Sequence, residues 1–154
     1  MEPIEIQRAL ESAVEQVLET MCFTSVVASS EGGDWSEGRF TPEIAAELQF
    51  EGDPRGGFRL GVSKKLARAL GAGFLGLEEA EPSDSQAGDV VCELANMICG
   101  STLSRLEDKA TFRITHPELI SQERGASCGG GGVNRWFDLG EGILTVSLEL
   151  RQTV

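Results

Sequence analysis

Apolar residues recur near the start of the chain at Ile6, Leu10, Ala13, Val14, Val17, Leu18 and Met21, the spacing of one helix face. An amphipathic helix is therefore predicted from Ile4 to about Met21. Residues 29–42 form a polar, glycine-bearing connection with room for a short strand. Two strands are expected at Ile44–Phe50 and Phe58–Val62, joined through the turn-forming run Glu51-Gly-Asp-Pro-Arg-Gly-Gly57 as a hairpin. Ser63 is placed to cap a helix from Lys64 to about Leu70, which should stop near Gly71 and Gly73. The acidic stretch 78–88, with Pro82, Ser83 and Ser85, reads as a loop or helix entry, and a long helix follows from about Gln86 to Leu106. Phe112–Thr115 is a candidate strand ahead of Pro117. Val133–Leu139 and Ile143–Leu150 alternate with period two across Gly140-Glu-Gly142, which predicts a second hairpin.

This order places a long helix and then antiparallel strands in each half of the chain. The expected class is α+β, with long amphipathic helices packed on an antiparallel sheet and a faint internal duplication. A chain of 154 residues fits one domain spanning 1–154.

The second of the two long helices, from about Gln86 to Leu106, carries an unusual stripe. Asp89, Glu93, Asn96 and Gly100 fall at i, i+4, i+7 and i+11, within an arc of roughly 60° at about 100° per residue. Val91, Leu94, Ala95 and Ile98 fall opposite and make an ordinary buried face. Glutamate on an exposed face needs no explanation. Asparagine inside a helix is mildly unfavourable because its side chain competes for backbone hydrogen bonds, and glycine there costs about 1 kcal/mol against alanine. Both on one open face point to a partner that comes close over Gly100 while Asn96 makes specific bonds. A tolerated surface is the plainer alternative.

Charge narrows the partner. Net charge is −12, from 25 acids against 13 bases, which argues against nucleic acid and against anionic membranes. No apolar run reaches the ~18 residues of a membrane span, and Met1-Glu-Pro-Ile-Glu5 lacks the basic start of a signal peptide, so a cytoplasmic location is expected. Cys22, Cys92, Cys99 and Cys128 show no CxxC spacing, and with His116 as the sole histidine they make a poor metal set. They read as small apolar residues in a reducing compartment. Gly129–Gly132 is followed by Val-Asn-Arg-Trp rather than by Lys-Ser/Thr and a helix, so it reads as a loop between strands and not as a phosphate loop. His116, with no visible serine or cysteine partner, reads as a loop histidine. Lys64, Lys65 and Arg68 read as a solvated helix face.

Asp89-x3-Glu93-x2-Asn96, with Pro117 further on, resembles the signature of the CheC/CheX/FliY phosphatases of bacterial chemotaxis. Glu93-Leu-Ala-Asn96-Met-Ile-Cys-Gly100 looks most like the CheX branch. The amphipathic first helix, the hairpin ending Gly61-Val-Ser-Lys-Lys-Leu-Ala and the terminal hairpin extend the likeness over nearly the whole chain. One departure is that twenty residues separate Asn96 from Pro117, one fewer than in the family pattern. CheC-type members carry the motif in both halves. Here the first helix offers Glu11, Val14 and Leu18 at the matching positions, with valine for asparagine and leucine for glycine, so a single site per chain is expected.

The resemblance implies a CheC-like pseudo-duplicated fold, a homodimer, and hydrolysis of the aspartyl phosphate on a phosphorylated CheY-like receiver domain. The receiver would bring Mg2+ and a lysine, and this chain no cofactor of its own. Asn96 would orient the in-line water, Glu93 would pair with the receiver lysine, Asp89 would be a rim contact and Gly100 a clearance for approach. The competing expectation is a non-catalytic module that binds phosphorylated receivers, as in the flagellar switch. A small-molecule hydrolase lacks a nucleophile–base pair, and a purely structural dimerisation domain would leave the stripe without a use.

Overall fold

A computed structural model describes residues 3–31, 42–52, 55–77, 81–106, 112–120 and 132–151. Helix α1 (Pro3–Cys22) buries Leu10, Ala13, Val14 and Leu18 completely, as the periodicity requires. It ends at Phe23, a non-glycine residue with φ 55°, and the Thr24 N–H closes back on the Leu18 carbonyl at 3.1 Å. Strand β1 (Ala28–Glu31) supplies the short strand anticipated in the polar connection, whose residues 32–41 lie outside those described. The first hairpin is β2 (Ile44–Glu51) and β3 (Arg55–Val62), with Leu48 paired to Phe58.

Helix α2 (Lys64–Leu75) corrects an expectation. Ser63 does cap it, its Oγ accepting from the Leu66 N–H at 3.1 Å, but the helix runs through Gly71 and Gly73 and stops at Gly76, φ 69°. The two internal glycines are packing clearances. A Cβ on Gly71 would meet Pro82 Cγ at 3.1 Å, and one on Gly73 would meet the Cys22 carbonyl oxygen at 2.4 Å. Helix α3 (Asp84–Leu106) starts two residues before the expected Gln86, because Ser83 and Gln86 form a capping box. The Ser83 N–H donates to Gln86 Oε1 at 2.9 Å, and the Gln86 N–H donates to Ser83 Oγ at 3.1 Å.

Beyond α3 the chain forms β4 (Arg113–Ile114) and β5 (Glu118–Ile120), then the second hairpin, β6 (Gly132–Asp138) and β7 (Ile143–Arg151). Of the glycine run expected as a loop, Gly132 opens β6, and 129–131, with Cys128, lie outside the described residues. The antiparallel sheet runs β1-β6-β7-β3-β2-β4, with β5 also on β2. The helices pack on one face, over Leu48, Phe50, Phe58, Leu60, Phe137, Leu144, Val146 and Leu148. The strand after α1 pairs with the second hairpin, and the strands after α3 pair with the first, so the two halves exchange their edge strands about the central β3–β7 pair. This is the expected α+β pseudo-duplicated arrangement, and it leaves α2 without a counterpart among the described residues.

Candidate functional site

Helix α3 is clamped between α1 and α2 and buries Val90, Val91, Leu94, Ala95, Ile98, Cys99, Thr102 and Leu103. That fixes its rotation and turns the polar stripe away from the core. The stripe is graded along its length. Asp89 and Glu93 are exposed, while Asn96 and Gly100 are half-buried, because the segment carrying β4 passes over the later turns. A Cβ on Gly100 would sit 3.7 Å from Ile114 Cδ1, an ordinary van der Waals distance, so this glycine is not demanded by contacts among the described residues. Earlier on the helix, a Cβ on Gly88 would stand 2.9 Å from Leu119 Cδ1, which brings β5 close over the first turns.

Glu93 and Asn96 line one open cleft of about 350 Å3 together with Ile114, Thr115, His116 and Pro117. Pro117 thus meets the Glu/Asn pair despite the shortened spacing in sequence. The opposite wall owes its shape to a register change. Phe50 pairs with Ile114 and Glu47 pairs with Glu118, so three residues, Thr115 to Pro117, face only two, Leu48 and Gln49. This is a β-bulge on an edge strand, where proline is tolerated and a side chain can be re-aimed. Thr115 fastens it. Its N–H donates to the Gln49 carbonyl at 2.8 Å, and its Oγ1 accepts from the Gln49 N–H at 2.9 Å.

A second, largely apolar groove of about 180 Å3 lies on the other flank of Glu93, lined by Phe74, Leu75, Gln86, Asp89 and Val90. Asp89 faces this groove and does not line the Asn96 cleft. Cys92 sits half-buried on the same helix, and its thiol is raised above 9.0 by burial first and then by the carboxylates of Asp89 and Glu93. Burial alone pushes Cys22 up to about 11 and Cys99 up to about 12. Cys22, Cys92 and Cys99 are free thiols, and none of them is poised as a nucleophile. Among the described residues no group of three or more His, Cys, Asp or Glu side chains is placed to hold a metal ion, and no helix is long and apolar enough to cross a membrane.

The helical stripe was readable from the sequence. The wall facing it was not, since His116 and Thr115 reach the cleft only through pairing with β2, which lies far away along the chain. The one local hint was His116 standing beside Pro117. Lys64 and Lys65 are exposed, and Arg68 pairs with the exposed Asp84 at 3.1 Å, so the small basic cluster stays outside the site.

The architecture and the cleft define a class: helices over an antiparallel pseudo-duplicated sheet, with a glutamate and an asparagine one turn apart on the second long helix. A family model described as "Chemotaxis phosphatase CheX" matches residues 44–132, more than half of the chain, and the protein belongs to that family. The matched span includes the whole cleft. Solved structures of the same fold include a CheC-like superfamily protein from Shewanella sp. PV-4, 17% identical, with TM-score 0.75 over 98% of this chain and 99% of that one. Another is CheX from Desulfovibrio desulfuricans, 21% identical, with TM-score 0.74 over 96% and 99%. A third is a CheX–CheY–BeF3–Mg2+ complex from Borrelia burgdorferi, 18% identical, with TM-score 0.73 over 95% and 97%. At these identities the likeness establishes the fold. A search for curated sequence relatives gives no match.

Proposed function

We propose that this protein hydrolyses the aspartyl phosphate of a CheY-like receiver domain, with α3 as the element inserted at the phosphorylation site. The observation that carries the reading is that Glu93 and Asn96 open into one cleft, with Pro117 across from them, in a chain of the CheX family. The reaction adds water to phosphorus and breaks the bond from phosphorus to the aspartyl oxygen. The bonding pair leaves with the carboxylate, and the proton lost by the water ends on inorganic phosphate. Such a transfer asks the protein mainly for an aligned water and stabilisation of charge. Asn96 suits the first task, because a neutral amide accepts a hydrogen bond from the water with its oxygen and donates one with its nitrogen, and adds no charge beside a dianion. Glu93, exposed and one turn earlier, pairs with the receiver's lysine and fixes the helix over the phosphorus. Asp89 contacts the rim, and Gly100 keeps the helix surface low where the receiver approaches. Mg2+ belongs to the receiver, and a homodimer working in the cytoplasm completes the reading; CheY with Mg2+ in the Borrelia complex supports the choice of partner.

The test is release of phosphate from a phosphorylated receiver. Asn96→Ala should lower the rate by about 100-fold or more while sparing binding, on the scale of losing one positioned polar group. Glu93→Ala should weaken both rate and binding. Wild-type turnover by the Asn96→Ala protein overturns the water-orienting role. Binding without any turnover by the wild type favours the flagellar-switch type of module instead.

A further inference from the structure

The bulge opposite α3 presents His116 to the cleft that Glu93 and Asn96 enter, and the proposed chemistry leaves this side chain unused. Several features set it apart from an ordinary loop histidine. It is the only histidine in the chain and, among the described residues, the only side chain lining the cleft that can carry positive charge. Its backbone is held on both sides, by the paired hydrogen bonds between Thr115 and Gln49 and by Pro117, which removes a rotatable φ. The ring is exposed and takes no part in the hydrogen bonds or ion pairs formed among the described residues. A side chain held this firmly at its backbone and left open at its tip is preorganised for something that enters from outside.

Charge indicates what enters. Glu93 is the one carboxylate among the described residues of the cleft wall, and a phosphoryl group brings further negative charge against it. A cation-capable N–H donor on the facing wall offsets that repulsion and supplies a charge-assisted bond to an anionic oxygen. We infer that His116 is a third working residue of this site beside Glu93 and Asn96, its imidazole N–H donating to an oxygen of the receiver's aspartyl phosphate from the wall opposite Asn96. The inference rests on the receiver-phosphatase reading and adds a residue that lies outside its Glu/Asn motif.

The solitary histidine gives an unambiguous probe. In protein labelled with 15N, the ring signals of His116 and the amide signals of Glu93 and Asn96 are followed as receiver is added with Mg2+, with and without BeF3 in place of the phosphoryl group. The expected result is a ring shift that requires BeF3 and accompanies the α3 shifts. Ring signals that stay still while α3 responds overturn the role of His116 and leave the proposed function intact. Equal ring shifts with and without BeF3 overturn the phosphoryl contact in favour of ordinary surface contact. If neither ring nor helix responds, the receiver reading fails and this inference falls with it. In the rate assay His116→Ala should lose about tenfold in kcat/KM with an unchanged melting temperature, and His116→Gln, which keeps an N–H donor, should recover part of that loss. Equal losses for the two variants tell against a donor role.

Discussion

Gly73 and Gly100 both lie inside helices, and their surroundings assign them opposite uses. A Cβ on Gly73 would press to 2.4 Å on the Cys22 carbonyl oxygen, which is backbone and cannot swing aside. Gly73→Ala should therefore destabilise the fold by about 1–3 kcal/mol through forced separation of α1 and α2. At Gly100 a Cβ meets, among the described residues, only Ile114 Cδ1 at 3.7 Å, so the alanine fits. Gly100→Ala should stabilise by up to about 1 kcal/mol, the helix propensity gained. If Gly100 serves approach of the receiver, the same variant should bind it more weakly and turn it over more slowly. Urea denaturation paired with the phosphate-release assay separates the two quantities. A Gly100→Ala protein that is both more stable and fully active removes Gly100 from the site.

The helix layer makes a prediction of its own through its buried thiols. Cys22 closes α1 and Cys99 lies inside α3, at 3% and 0% exposure, with their thiols pushed up to about 11 and about 12 from 9.0 by burial. The unfolded chain loses these protons near pH 9 while the folded chain keeps them, so between the two values the folded state binds more protons. Stability is fully present below about pH 9 and falls as pH rises toward 11–12, by an amount on the order of a few kcal/mol. Urea unfolding at pH 8 and at pH 10.5 checks this, and Cys99→Ala should flatten the slope while lowering stability at pH 8. The same elements show what the sequence could convey. Helices α1 and α3 were legible because their periodicity is local and their caps lie within a few residues. The end of α2 was misplaced because Gly71 and Gly73 carry the local signature of a stop, and only their contacts with Pro82 and Cys22 show a different purpose. Likewise β5 and the bulge at Thr115–Pro117 exist by virtue of β2, so Asn96 could be picked out from its helix and His116 could not.

At the scale of the molecule, two long helices and two hairpins are related by an exchange of edge strands, yet only one half presents the polar pair. Glu11, Val14 and Leu18 have the spacing of Glu93, Asn96 and Gly100, but Val14 and Leu18 are fully buried in the core. Glu11 meets Arg135 of β6 at 2.6 Å, and Arg135 also donates to Ser29 of β1 at 3.2 Å. The first half has thus spent the equivalent glutamate on holding an inward-facing arginine, whose side chain is 10% exposed. The two glutamates should respond to truncation in opposite ways. Glu11→Ala leaves the Arg135 guanidinium buried without its carboxylate and should cost about 2–3 kcal/mol, with phosphate release per folded molecule unchanged. Glu93→Ala removes an exposed side chain and should leave stability within about 0.5 kcal/mol of wild type while lowering receiver binding and turnover. Measuring both variants by urea unfolding and by receiver dephosphorylation tests whether the duplication has kept one site per chain. Loss of activity in Glu11→Ala at full folding would show that the first half takes part in the reaction after all.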